Sequence, residues 1–413
     1  MWIKSIKVKN FKSLVDFQLD LAKFTCLIGL NGSGKSTVLQ FLDFLAQLMR
    51  GKLERWLYEE RHWKADDLLS KLGTGEFIEF KVYLRSETEE RDEWYWHAVF
   101  DPSKLRTVSE SIKTPTMKFD LKNGALTFEG LAPDWLLNHG GDLPYNVLFT
   151  YQGSILAQLD ESLLLGGREK GSPGSLLEFR RFISEIRSLD LLSPELLRQK
   201  ARKADGSLGL GGQQLPAFLY EIGHERRLDL LRKLQTLYPR LVDLNPKILP
   251  SGEKQLEIQE AFEGRGFTTE ARHINDGMLR LIAILAELQT GGGVAVFDEI
   301  ENGINPELVE FVIDALTSAE KQAIVTTHSP MILNYLTDDD AKAGVMYLYK
   351  TDAGATQAVP FFEIPSLAEK LTVMGPGEAF VDTNLTQLAD EIVRMPKPET
   401  RDDVLPAQRR RGH

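Results

Sequence analysis

The chain has 413 residues, 42% of them hydrophobic and 26% charged, which provides for a large buried core and, by length, two or three domains. A formal net charge of −11 argues against wholesale wrapping in nucleic acid but leaves room for a local basic patch. No stretch reaches the ~18 consecutive apolar residues of a membrane span. Met1 to Asn10 alternates apolar and charged residues without the apolar run of a secretion signal. The single cysteine, Cys26, lies in the apolar setting of Phe24 and Leu27 and reads as a core thiol with no internal disulfide partner. These features predict a cytoplasmic protein with no membrane partner.

In chain order, Trp2 to Val8 alternates as a strand, residues 9–13 make a turn, and Phe17 to Leu21 is a second strand. Phe24 to Ile28 is the short apolar run of a buried strand. From Thr37 onward Val38, Leu39, Phe41, Leu42, Leu45, Leu48 and Met49 recur at helical spacing until Gly51 stops the helix. Residues 76–129 read as an antiparallel meander. Within it Phe77–Leu84 and Trp94–Phe100 alternate strongly, and Asn123-Gly124 closes a hairpin between 117–121 and 125–128. Val147 to Tyr151 is predicted as a strand running into Gln152-Gly153. Residues 175–245 read as helical, broken at Pro194 and Gly206 to Gly212, with no sustained heptad repeat. A strand at Leu256–Phe262 and an amphipathic helix at Asp276–Leu288 follow. Strand Val294–Phe297, helix Pro306–Leu316 and strand Ala323–Thr326 then form a βαβ unit. The polar tail 396–413, ending in Arg409-Arg410-Arg411, is predicted to be disordered.

Three segments carry chemistry. Gly29-x4-Gly34-Lys35-Ser36 is a complete phosphate-binding loop pattern placed between an apolar strand and an apolar-periodic helix. Its glycines let backbone N–H groups converge on phosphate, Lys35 would reach the β- and γ-phosphates, and the Ser36 hydroxyl would ligate Mg²⁺. Val294-Ala-Val-Phe-Asp298-Glu299 is an apolar strand ending in two acids. Asp298 would hold Mg²⁺ and Glu299 would polarise the attacking water. Thr327-His328-Ser329-Pro330 ends the next strand, where a histidine faces the ligand crevice of a parallel sheet and can bond the γ-phosphate or the water. Together they predict an ATPase that uses ATP and Mg²⁺.

The order and spacing of these segments resemble ABC-type ATPases of the SMC, RecF and OLD branch. The resemblance implies an α/β fold: an ABC-type head with a mixed sheet around the P-loop, an antiparallel β-lobe and an inserted helical lid. It divides the chain into 1–155 and 251–395 as two parts of the head, 156–250 as the lid and 396–413 as the tail. Nucleotide contacts are then expected from Gly29, Asn31, Gly32, Ser33, Gly34, Lys35, Ser36 and Thr37. Tyr151-Gln152-Gly153-Ser154 looks like the Q-loop, which would make Gln152 a Mg²⁺ and water contact beside Ser36 and Asp298. Asn275-Asp276-Gly277 looks like the signature motif, with Asn275 where the family usually has Ser. Asn275 and Gly277 would face the γ-phosphate held by a second copy. Residues 301–306 look like the D-loop, and Asn10-Phe11-Lys12-Ser13 is similar to the opening of RecF-like ATPases.

The resemblance implies a homodimer, or a higher homo-oligomer, that sandwiches ATP and is switched by hydrolysis. Stand-alone bacterial relatives of this kind serve phage defence beside a separate nuclease or toxin, so a separate effector is an expected partner. RecF-like DNA repair is the alternative, and a transporter subunit is a more distant one. Too few residues follow His328 for a fused nuclease domain. Between Arg180 and Arg240 lie twelve basic residues against seven acidic ones. That stretch reads either as solvated helix faces or as a DNA-contacting surface.

Overall fold

A computed structural model describes residues 1–86, 94–130, 145–147, 149–161, 174–190, 193–385 and 387–395. The tail 396–413 therefore lies outside the described residues. The chain opens with β1 (Trp2–Phe11), β2 (Leu14–Asp20) and β3 (Phe24–Ile28), followed by α1 (Lys35–Arg50). The helix stops at Gly51, whose N–H bonds the Gln47 carbonyl in a left-handed cap.

The expected meander is present as β4 (Ile78–Arg85), β5 (Trp94–Asp101), β6 (Arg106–Lys113), β7 (Met117–Lys122) and β8 (Ala125–Gly130), with a short β9 (Tyr145–Asn146). With β1 and β2 they form an eight-stranded sheet in the order β2-β1-β4-β5-β6-β7-β8-β9. The described residues of the predicted strand 147–151 are not extended in a ladder. Position 148 lies outside the described residues. Tyr151 instead donates its hydroxyl to the Thr107 carbonyl at 2.6 Å, and Gly153 exchanges backbone hydrogen bonds with Leu105 and Thr107.

Residues 174–250 contain helices α2 (Ser175–Ser184), α3 (Pro194–Leu197), α4 (Leu215–Glu221) and α5 (His224–Leu237), but they are not purely helical. Strand β10 (Arg187–Leu189) pairs in parallel with 295–297. Strand β11 (Leu241–Ile248) pairs with β12 (Lys254–Phe262), and β12 with β13 (Arg265–Glu270). The β11–β12 ladder crosses the expected boundary at residue 250. Helical periodicity cannot foresee either pairing, because each strand takes its partner from a distant or opposing segment.

The central layer is a six-stranded sheet of order β10-β14-β15-β3-β16-β17, where β14 is Val294–Phe297, β15 Gln322–Thr326, β16 Val345–Lys350 and β17 Thr356–Pro360. It is parallel except for β17. Helix α6 (Asp276–Leu288) precedes β14, and α7 (Pro306–Thr317) links β14 to β15. The period-2 pleat sorts side chains into two cores. Cys26, Phe297 and Val325 enter the one packed by α6 and α7, whereas Leu27, Val296 and Ile324 enter the one shared with α1 and the antiparallel lobe. In the second core Phe11, Phe41, Phe44, Phe80 and Phe100 stack edge-on or tilted around α1. Buried Gln322 ties the two sheets, accepting from Ile3 N at 2.8 Å and donating to the Ile3 and Ala22 carbonyls at 2.9 Å each. No helix among the described residues is long and apolar enough to cross a membrane.

Candidate functional site

The site lies where β3, β14 and β15, adjacent in the sheet, end at one edge. Strand β3 is buried throughout and turns at Gly29. A Cβ at Gly29 (φ +147°) would stand 2.3 Å from the Leu348 carbonyl, and one at Gly34 (φ +110°) would stand 2.2 Å from Thr356 Oγ1. Only glycine lets the loop close against the backing strands β16 and β17. Buried Thr356 donates to the Ser33 carbonyl at 3.0 Å, shares a hydrogen bond with Ser13 at 2.8 Å and accepts from Lys350 Nζ at 2.9 Å. It thus occupies a loop carbonyl from behind. Helix α1 starts without a side-chain cap or an acidic residue in its first turn, which leaves its N–H groups and dipole free for an anion.

Lys35 Nζ donates to the carbonyls of Gly29 at 2.9 Å and Leu30 at 3.2 Å. Burial lowers its pKa, opposed by the charges of Asp298, Glu299 and Glu301. Ser36 Oγ donates to Asp298 Oδ2 at 3.1 Å and so joins two motifs 262 residues apart. Neighbouring oxygens of a Mg²⁺ octahedron with ~2.1 Å bonds lie about 3 Å apart, so Ser36 and Asp298 fit adjacent positions on that ion.

Thr326, fully buried at the end of β15, sets the acids: its hydroxyl donates to Asp298 Oδ1 at 2.6 Å and accepts from Glu299 N at 2.8 Å. Glu299 has φ +47°, an uncommon backbone for a non-glycine residue. Its Oε2 accepts from Asn302 Nδ2, and the Asn302 carbonyl accepts from Arg280 Nη1 on α6. His328 follows β15 with an exposed side chain, and its N–H donates to Glu301 Oε1 at 2.8 Å. The P-loop, Asp298, Glu299 and His328 are therefore gathered at one sheet edge.

Gln152 is not among them. Its Oε1 accepts from Glu54 N at 3.4 Å, and Ser154 N donates to the Leu48 carbonyl at 2.9 Å, which places it at the C-terminal end of α1. A helix of 16 residues spans about 24 Å at 1.5 Å per residue, so Gln152 cannot share an ion with Ser36. On its side away from β15, β14 is bordered by β10, which ends at Leu189, with Asp298 N donating to the Leu189 carbonyl at 3.2 Å. Sequence reasoning missed Thr326, Asn302, Arg280 and Thr356. Asn302, three residues from Glu299, was the one with a local partner, whereas Thr326, Arg280 and Thr356 act on partners 28, 22 and 323 residues away.

The segment 275–277 opens α6 beside the loop that follows β14, where a Cβ at Gly277 would stand 3.2 Å from the Gly303 carbonyl. Asn275 caps α6, its Oδ1 accepting from Met278 N at 2.8 Å, and Asn275 and Asp276 are both exposed. Eight of the twelve basic residues between Arg180 and Arg240 are exposed, and Arg180, Arg187, Arg198 and Arg227 are half-buried. Arg187 meets buried Glu287 at 3.3 Å beside Lys321, Arg180 donates to the Leu159 carbonyl, and Arg198 bonds the signature segment.

Residues 1–106 match the family model "AAA ATPase domain", and residues 177–334 match "AAA domain, putative AbiEii toxin, Type IV TA system". No curated protein matches the chain in sequence. Solved structures that share its fold include two Smc heads. An Smc head bound to the C-terminal winged-helix domain of ScpA is 16% identical with a TM-score of 0.52, over 87% of this chain and 97% of that one. An Smc head with an extended coiled coil, bound to the C-terminal domain of ScpA derived from Pyrococcus furiosus, is 13% identical with a TM-score of 0.50, over 90% and 99%.

Proposed function

We propose that this chain, an ABC/SMC-like P-loop ATPase, works as a nucleotide-gated dimer whose cycle controls a separate effector in antiviral defence. The observation that carries the gating is the division of the chemistry. Lys35, Ser36, Asp298, Glu299 and His328 converge on one edge, while Asn275 opens α6 with an exposed side chain whose amide N–H₂ makes no hydrogen bond among the described residues, and Gly277 beside it is buried. A second copy placed head to tail supplies to each P-loop what its own chain does not. ATP then contributes charge-assisted hydrogen bonds across the seam, and hydrolysis removes them.

Within one chain the P-loop N–H groups and Lys35 bind and orient the triphosphate, and Glu299 takes the proton of the attacking water. His328 hydrogen-bonds the γ-phosphate or that water. Mg²⁺ on Ser36 and Asp298 supplies neutralising charge when bound. The toxin–antitoxin wording of the second family description supports an effector-linked role. The ScpA fragments on the similar heads support a partner that reads the state of the head.

Glu299→Gln removes the base and keeps the phosphate contacts. With ATP this variant elutes as a dimer in size-exclusion chromatography with light scattering, and without nucleotide as a monomer. A monomer under both conditions refutes the sandwich.

A further inference from the structure

The basic stretch holds one arginine whose position is explained by neither solvation nor DNA. Arg198 follows α3 in the inserted segment, yet its Nη2 donates both to the Ile274 carbonyl at 2.8 Å and to Asp276 Oδ1. These residues flank Asn275, the cap of α6. The insert therefore grips the first turn of the helix that carries the signature segment. The Arg198 side chain is 23% exposed and that of Asp276 53%. Neither Nε nor Nη1 of Arg198 hydrogen-bonds among the described residues.

Asp276 suits its own helix, since a carboxylate in the first turn favours the dipole. It does not suit the proposed assembly, in which this turn meets a triphosphate on the second copy. An anion there opposes the phosphate charge. Glu195, also on α3, lies close enough to interact electrostatically with both Arg198 and Asp276, so a second carboxylate adds to the deficit.

Resting on the dimer reading above, we infer that Arg198 is a positioning residue of the trans half-site. It cancels the charge of Asp276 and braces the Asn275 cap, so that the amide of Asn275 can approach the γ-phosphate held by a second copy. The inserted segment is thereby wired to catalysis, and a partner that displaces α3 exposes Asp276 and switches off ATP-dependent association.

The test uses the full chain in the Glu299→Gln background for association and the native base for turnover. Arg198→Ala leaves binding of a fluorescent ATP analogue by the monomer within about twofold and weakens ATP-dependent dimerisation, measured by analytical ultracentrifugation, at least about tenfold. Turnover falls with it. Adding Asp276→Asn to Arg198→Ala restores dimerisation to within about threefold of the parent, because the carboxylate in the first turn of α6 is gone and only the Glu195 charge on α3 remains. Asp276→Asn alone dimerises at least as well as the parent. A purely structural Arg198 would not be rescued by removing a carboxylate, so failure of the double variant to recover overturns the inference. Undiminished dimerisation of Arg198→Ala also overturns it. Absence of an ATP-dependent dimer with Arg198 intact refutes the sandwich itself, and is recognised in the parent before any Arg198 variant is made.

Discussion

Thr326→Val removes one hydroxyl and almost no volume, at the point where the two acids of β14 are held. The fully buried hydroxyl accepts from Glu299 N at 2.8 Å and donates to Asp298 Oδ1 at 2.6 Å. Valine orphans the N–H, which costs about 1–3 kcal/mol, and deletes a hydrogen bond to a charged acceptor worth about 1.5–3 kcal/mol. Asp298 is only half-buried and regains part of this from water, so a net loss of about 2–4 kcal/mol is expected. A protein with a stability of about 5–15 kcal/mol remains folded after that loss. Thr326→Ser keeps both hydrogen bonds and gives up one methyl, about 1 kcal/mol. Urea unfolding should therefore separate the two variants. The Mg²⁺ concentration for half-maximal ATPase activity should rise several-fold in the valine variant alone, because its Asp298 carboxylate is free to rotate away from Ser36. If valine and serine lose equal stability and need equal Mg²⁺, the hydroxyl does not position the acids.

Two more outcomes follow, one beside Glu299 and one at Lys12. Asn302→Ala frees the Glu299 carboxylate without touching the phosphate-binding loop, so kcat should fall about tenfold while the KM for ATP stays constant. A raised KM at unchanged kcat in steady-state assays would contradict that role. Burial, with Arg61 adding repulsion and Asp67 partly opposing, brings the Lys12 ammonium down from 10.5 to about 8. Between those values the native state holds fewer protons than the unfolded chain, so the Lys12 contribution to stability rises with pH through that window. Denaturant unfolding at pH 7.5 and pH 10 should show the parent gaining on Lys12→Met, and an equal pH response in both would remove Lys12 as the cause.

How much of the site was readable follows from the range of the interactions involved. The P-loop is a local construction, with glycines at fixed spacing after an apolar strand and a helix whose first turn is left open to anions, so residues 24–51 announced it. Val294–Glu299 and Ala323–His328 were readable for the same reason, since a buried parallel strand is a continuous apolar run with its polar chemistry at one end. Gln152 was misplaced because a strand-ending glutamine looks the same at either end of α1. What decides its position is the backbone pairing of Gly153 with Leu105 and Thr107.

The sequence alone therefore determined that this chain binds a nucleotide phosphate and carries the acids to hydrolyse it, since those groups are written in contiguous segments. Only the tertiary structure decided that β10 borders β14 and that Thr356 backs the P-loop from 323 residues away. It also decided that Arg198 bonds the first turn of α6. Hydrogen bonds and ion pairs of that span depend on how layers stack, and no local periodicity records which distant side chain a fold will bring into reach.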